Sequence, residues 1–215
     1  MFFFMAFQSV WYYTDLPEDI VKILDKDLVE NFDSQMGDSK LLGDAINKDK
    51  RNSENTWISS DHWIAGFLWH YVNKANQTNF LYDLTCIDAN NLQYTKYSEG
   101  QYYHWHNDAG VPALYKPTFN KLSMESHNDQ ENHLDFLKRN CEYVRKLSFS
   151  LQLSDPDDYE GGNVQFIDED GKSYIAPRQR GCIVLFDSRT QHRVLKVTKG
   201  VRRSIVGWCI GPRWK

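Results

Sequence analysis

YSEGQYYHWHND, residues 97–108, is the stretch around which the rest of the chain can be arranged. The β-forming aromatic run at 101–106 predicts a strand. Residues two apart on a strand point to the same side, so His106 and Asp108 form an H-x-D pair able to grip one metal ion. A third ligand of suitable type is His192, and two imidazoles with one carboxylate are the facial set that leaves positions open on ferrous iron. His104 shares the expected face of this pair and competes with His106. The strand end, where backbone curvature can turn both groups inward, favours His106. Arg202 follows ten residues after His192.

Further strands are expected at 80–84, 92–97, 146–153, 163–167, 172–175, 182–186, 192–197 and 201–210. In 146–153, Leu147, Phe149, Leu151 and Leu153 alternate with Ser148, Ser150 and Gln152. The apolar face would meet helices and the polar face would line an interior cavity. Asp170-Gly171 reads as a hairpin turn, and Lys199-Gly200 turns the chain into its last strand. Several short strands with hairpin-length connections point to a double-sheet jelly roll, a double-stranded β-helix.

Upstream, the apolar run 1–13 reads as a buried strand. Thr14 or Asp15 offers a cap to a first helix that carries Ile20, Ile23, Leu24 and Leu28 and ends near Phe32. Residues 33–55 are polar and are expected to run over the surface with partial order. Asp61 caps a second helix whose apolar face holds Trp63, Ile64, Phe67, Leu68 and Tyr71. The class is therefore α+β in one domain, 1–215: N-terminal supporting helices in 1–79 and a jelly-roll core in 80–215. An insert at 109–142, containing His127 and His133, is expected to act as a substrate lid.

Composition narrows the role. The 215 residues carry 25 Lys and Arg against 29 Asp and Glu, a net charge of -4, which gives no support to a nucleic-acid partner. A hydrophobic fraction of 41% excludes a disordered chain. Cys86, Cys141, Cys182 and Cys209 make no C-x-x-C motif and read as free thiols in a reducing compartment. The N-terminal apolar run lacks a basic flank and a cleavage site and is too short to span a bilayer, so the expected location is the cytoplasm, with no membrane partner.

On the final strand Arg202, Ser204, Val206 and Trp208 share a face, so the Arg202 guanidinium can enter the cavity. A buried cation there needs an anion, and a ligand carboxylate held with help from Ser204 would satisfy it. Arg203, on the opposite face, is expected to be solvated.

The motifs 97–108, RKLSFSLQLSD at 145–155 with EGG at 160–162, and HRVLKVTKGVR at 192–202 through Trp208 resemble the prolyl-4-hydroxylase branch of the 2-oxoglutarate- and iron(II)-dependent dioxygenases. The small single-domain hydroxylases of bacteria and phages are the nearest in look. The resemblance implies that His106, Asp108 and His192 hold Fe(II) and that Arg202 holds the far carboxylate of 2-oxoglutarate. It also implies O2 as co-substrate and ascorbate as reductant. Tyr97, Tyr103, Val194 and Trp208 match pocket residues of the family. Where some animal relatives place a tyrosine that hydrogen-bonds the co-substrate, this sequence has Gln152. The implied substrate is a prolyl residue in a peptide or protein. A hydroxylase of a free amino acid and a catalytically inactive metal-binding jelly roll are the alternatives.

Overall fold

A computed structural model of the protein describes residues 10–13, 16–41, 46–88, 92–109, 143–167 and 171–214. β1 (Val10–Tyr13) leads into α1 (Glu18–Phe32), followed by β2 (Gly37–Asp38), β3 (Arg51–Asn52), β4 (Glu54–Ile58) and α2 (Trp63–Ala75). β5 (Cys86–Ile87), β6 (Leu92–Tyr97), β7 (Tyr102–His106) and β8 (Tyr143–Gln152) come next. The remaining strands are β9 (Tyr159–Gly161), β10 (Val164–Ile167), β11 (Ser173–Ile175), β12 (Ile183–Asp187), β13 (Gln191–Val194), β14 (Val197–Gly200) and β15 (Arg202–Pro212).

The larger antiparallel sheet runs β1-β12-β8-β15-β6-β4-β2, with β5 added beside β15. The smaller runs β11-β10-β13-β7-β3, and β9 and β14 form a ribbon. The two sheets stack as a jelly roll, and period-2 alternation decides what fills each side. Leu147, Phe149 and Leu151 of β8 are fully buried against Leu24 and Leu28 of α1 and Ile64, Leu68 and Val72 of α2. Each such side chain contributes roughly 1.5–3 kcal/mol by leaving water. Ser148, Ser150 and Gln152, on the opposite face, are buried between the sheets.

The helices sit where their periodicity places them, but both caps differ from expectation. α1 starts after Pro17, whose fixed φ of -57° suits a helix entry. α2 is capped by His62, whose Nδ1 accepts from the Ile64 amide at 3.5 Å, and not by Asp61. Thr14 and Asp15 lie outside the described residues, as does the expected lid beyond Ala109, with His127 and His133. Among the described residues no helix is long and apolar enough to cross a membrane.

Residues 80–84 do not form the expected strand. A π-helical turn, Asn76–Phe80, extends α2, and Leu81 takes a left-handed φ of 54°. The Asn76 side chain bonds both the amide and the carbonyl of Tyr82 at 2.8 Å, which holds this backbone away from a ladder. Among its described residues the polar stretch 33–55 is more ordered than expected, because β2 and β4 extend the larger sheet and β3 edges the smaller one. The described residues of the N-terminal part thus add strands to both sheets beside the two helices. Arg203 is not solvated: its Nη1 lies 2.8 Å from Asp25 Oδ1 and donates to Tyr94 Oη at 3.2 Å, fastening β15 to α1.

Gly207 lies where β15 crosses the apolar core. A Cβ there would collide with the Phe149 ring and meet Leu92 Cδ2 at 2.8 Å. Gly207→Ala is expected to destabilise the protein by about 1–3 kcal/mol through overpacking. Urea unfolding followed by tryptophan fluorescence measures this, and an unchanged midpoint would contradict the tight β15–β8 packing.

Candidate metal centre

His106 ends β7, Asp108 follows two residues on, and His192 lies on β13, where its Cα pairs with that of His106. One ligand atom from each of the three residues lies within 4.8 Å of the others. His106 Nε2 is 3.9 Å from Asp108 Oδ1, and His192 Nε2 is 3.7 Å from Asp108 Oδ2. Each imidazole turns its other nitrogen to the backbone: His106 Nδ1 is 2.8 Å from the His104 carbonyl, and His192 Nδ1 is 3.0 Å from that of Thr190. A carbonyl only accepts, so Nδ1 carries the proton in both rings and Nε2 presents its lone pair to the shared space. Such second partners fix ring orientation in metal sites.

Asp108 is held as firmly. Ser148 Oγ donates to its Oδ2 at 2.8 Å, Ser188 Oγ stands 2.9 Å from Ser148 Oγ, and the Asp108 amide donates to the Ser188 carbonyl at 2.8 Å. Burial pushes the Asp108 carboxyl up. The His192 and His106 imidazoles, the Arg145 guanidinium and the Ser148 bond outweigh it, so the group ionises below the usual range. Burial, with His192 and Arg51 nearby, brings the His106 imidazole down to about 3. His106 and Asp108 therefore keep their metal-binding protonation states well into acid.

His104 is not part of this cluster. The pairing of β7 with β13 goes from His106↔His192 to Tyr103↔Val194, three residues against two. The extra residue is a β-bulge, which breaks strict alternation. It turns Tyr103 to the His106 side, where the two rings stack at 3.6 Å and 17°. His104 is exposed and packs beside Tyr102 instead. The expectation that His104 and His106 share a face is corrected by this one inserted residue.

Arg202 is 1% exposed. Nη1 donates to Ser204 Oγ at 3.3 Å, Nη2 donates to Gln152 Oε1, and the guanidinium carbon lies 5.6 Å from the Tyr97 ring centroid. Nε is buried without a partner, and no carboxylate pairs with Arg202 among the described residues. Burial lowers the pKa of this guanidinium, partly offset by Tyr159 and Tyr97. Such a cation, hydrogen-bonded only to neutral side chains among the described residues, is complementary to a carboxylate.

Sequence reasoning missed Tyr159, whose hydroxyl accepts from Gln152 Nε2 at 3.0 Å and completes the wall around Arg202. The neighbouring glycine pair could have pointed to it. Gly161 and Gly162 both have positive φ, and a Cβ on Gly162 would press on Val197, Arg202 and Tyr159. Val194 packs with Tyr97, Val197 and Tyr103. Trp208 shares the Arg202 face of β15, but its ring is taken up by Arg145 at 4.1 Å and Trp57 at 6.5 Å. Burial pushes the Tyr103 phenol up to about 12, so it remains protonated.

Residues 92–210 match the family described as the 2OG-Fe(II) oxygenase superfamily. A PKHD-type hydroxylase of Aliarcobacter butzleri is 32% identical, covering 81% of this chain and 80% of the relative. One from Parvibaculum lavamentivorans is 45% identical over 62 residues, only 28% of the relative's length. A crystal structure of a Pseudomonas putida prolyl-4-hydroxylase superposes with a TM-score of 0.64 at 18% identity, covering 96% of this chain and 94% of that one.

A histidine with a depressed pKa is neutral in the folded state, so the unfolded chain takes up the proton first. Its contribution to stability is complete above about pH 6.5 and is lost as pH falls towards the folded value. Metal-free protein should thus lose about 2 kcal/mol between pH 7 and pH 5 from this group. Urea titrations at the two pH values test it, and His106→Gln should shrink the difference.

Proposed function

Because the chain belongs to the 2OG-Fe(II) oxygenase superfamily, we propose that it is an iron(II)- and 2-oxoglutarate-dependent dioxygenase hydroxylating a prolyl residue in a peptide or protein. The observation that carries this reading is a pair of complementary sites on the two sheets, linked through Tyr97, which faces Arg202, and Tyr103, which stacks on His106. A His-Asp-His trio has its lone pairs converged, and a buried arginine on the facing sheet lacks an anion. His106, Asp108 and His192 would hold the iron on one side, leaving coordination positions free. Arg202, with Ser204 and Gln152, would take the far carboxylate of 2-oxoglutarate. The donor set together with a buried Arg202 that lacks an acidic partner among the described residues argues against an inactive metal-binding jelly roll.

Bound iron(II) with 2-oxoglutarate and dioxygen supplies the oxidising chemistry, placing one oxygen atom in a substrate C–H bond and the other in succinate, with loss of carbon dioxide. The protein's own part is orientation and exclusion of water. Asp108 keeps its charge through Ser148, the two imidazoles keep their tautomer through backbone carbonyls, and Arg202 offers a fixed cation over Tyr97. Tyr159 and Gln152 take the place of the single tyrosine that some animal relatives use beside the co-substrate. The whole chain acts as one domain in this reading, since β1 to β4 of its N-terminal part pair into the same two sheets. The prolyl specificity draws on the prolyl-4-hydroxylase neighbour.

Succinate release under air, with iron(II), 2-oxoglutarate and ascorbate to keep the iron reduced, tests the proposal. A proline-rich peptide should stimulate it, and Asp108→Ala should abolish it. Full activity in Asp108→Ala would sink the ligand assignment. Arg202→Ala should weaken 2-oxoglutarate binding by about 2–5 kcal/mol, as losing one partner of a buried charge pair does, with little change in metal binding. Calorimetric titration of each ligand separates the two effects, and unchanged co-substrate affinity would move that pocket elsewhere.

A further inference from the structure

Arg202 is not the only guanidinium in the sandwich without a carboxylate. Arg51, on edge strand β3, is 7% exposed, and no acid pairs with it among the described residues. Its Cα stands opposite that of Tyr103 on β7, so the two side chains share the face that carries His106. The guanidinium carbon lies 4.9 Å from the Tyr103 ring centroid, and Tyr103 in turn stacks on His106. Arg51 is thus one aromatic ring away from the metal trio.

Its hydrogen bonds are all neutral. Nε donates to Ser53 Oγ at 3.0 Å and Nη2 to Gln93 Oε1 at 3.1 Å, and Ser53 is itself bonded to Ser39 Oγ at 2.8 Å. These contacts fix the plane of the guanidinium and leave its charge unneutralised, as around Arg202. The contrast with Arg145 is informative: that arginine has an acid of its own, Asp88 Oδ2 at 3.2 Å, and is spent on it. Trp57 stands across the β4–β6 ladder from Gln93, the acceptor of the Arg51 bond. The residue is 47% exposed, and its ring lies beside that of Trp208. A buried planar cation next to an exposed indole suits a ligand that places a carboxylate beside a small apolar ring.

We propose that Arg51 is a specificity-determining residue that binds a carboxylate of the primary substrate, with Trp57 as the apolar ledge beside it. The inference rests on the oxygenase reading above, in which Arg202 serves the co-substrate and Arg51 is left for the molecule being hydroxylated. Two sources supply this chemistry: an acidic side chain next to the modified residue of a peptide, or the α-carboxylate of a free amino acid.

Calorimetric binding to protein loaded with manganese(II) and 2-oxoglutarate decides the matter without turnover. The probes are proline peptides differing only in an Asp, Asn or Lys beside the proline, together with free proline and prolinamide. At least one acid should bind about tenfold tighter than its amide twin. Preference for the Asp peptide assigns a peptide substrate, and preference for free proline assigns an amino acid. Arg51→Glu should reverse the order in favour of the Lys peptide, and Arg51→Lys should keep the preference for the acid. If Arg51→Glu does not fold, Arg51→Gln should erase the difference between twins. Equal binding of acid and amide, or no binding by any probe, overturns the inference. Succinate release by the unaltered protein, run in parallel, separates the two failures. A binding preference without turnover would sink prolyl hydroxylation and leave the Arg51 site standing, whereas equal stimulation by both twins would sink the site alone.

Discussion

The pairing of β8 with β15, from Ser204↔Gln152 to Pro212↔Tyr143, is the constraint on which the rest depends. Side chains alternate across this ladder, so one choice of register sends Leu147, Phe149, Leu151, Ile205 and Cys209 to the helices. The same choice sends Ser148, Gln152, Arg202 and Ser204 to the interior of the sandwich. A slip of one residue would put the polar set into the apolar core and the oily set around the candidate metal. The helices and the site are therefore alternatives imposed on the two faces of one sheet, and neither can be adjusted without the other.

The interior carries more charge than a stability-driven design would place there. Asp108, His192 and Arg202 are each at most 7% exposed. Burial of such groups is unfavourable unless each is bonded. The sandwich answers with short neutral partners: Ser204 two residues on for Arg202, Ser148 from the other sheet for Asp108, and the backbone two residues back for each imidazole. These partners orient the charged groups but do not cancel them. What is left over is binding capacity for a cation at the trio and for an anion at Arg202.

Much of this was legible in the chain before folding. The alternation from Leu147 to Leu153, the Asp170-Gly171 dipeptide in the sequence between β10 and β11, and the H-x-D at a strand end are local signals, and β8, the β10–β11 pair and β7 stand where these signals lead. The bulge in β7 was not legible, because whether His104 or His106 faces inward is decided by how many residues β13 offers opposite them. Arg203 differs from expectation for a related reason. From the sequence its face of β15 reads as solvent-facing, whereas α1 brings Asp25 to it from the far end of the chain. Residues 80–84 have strand-like composition, but the Asn76 side chain bonds locally and wins. The ribbon of β9 and β14 was too short to stand out from turns, yet it sets Tyr159 beside Arg202.

β15 sits between β8 and β6, and it comes after both in the chain. Until it is made, those two strands carry open edges where their central partner should be, and the ladder from Tyr97 to Arg202 must close a long loop. Non-local closure of this kind slows folding, and unpaired edges invite association with other chains. The larger sheet should therefore form late and all at once, with Arg202 and Ser204 among the last residues to reach their places. A nascent chain that already contains His106 and Asp108 would have the beginnings of a metal site long before it has anything to hold a co-substrate.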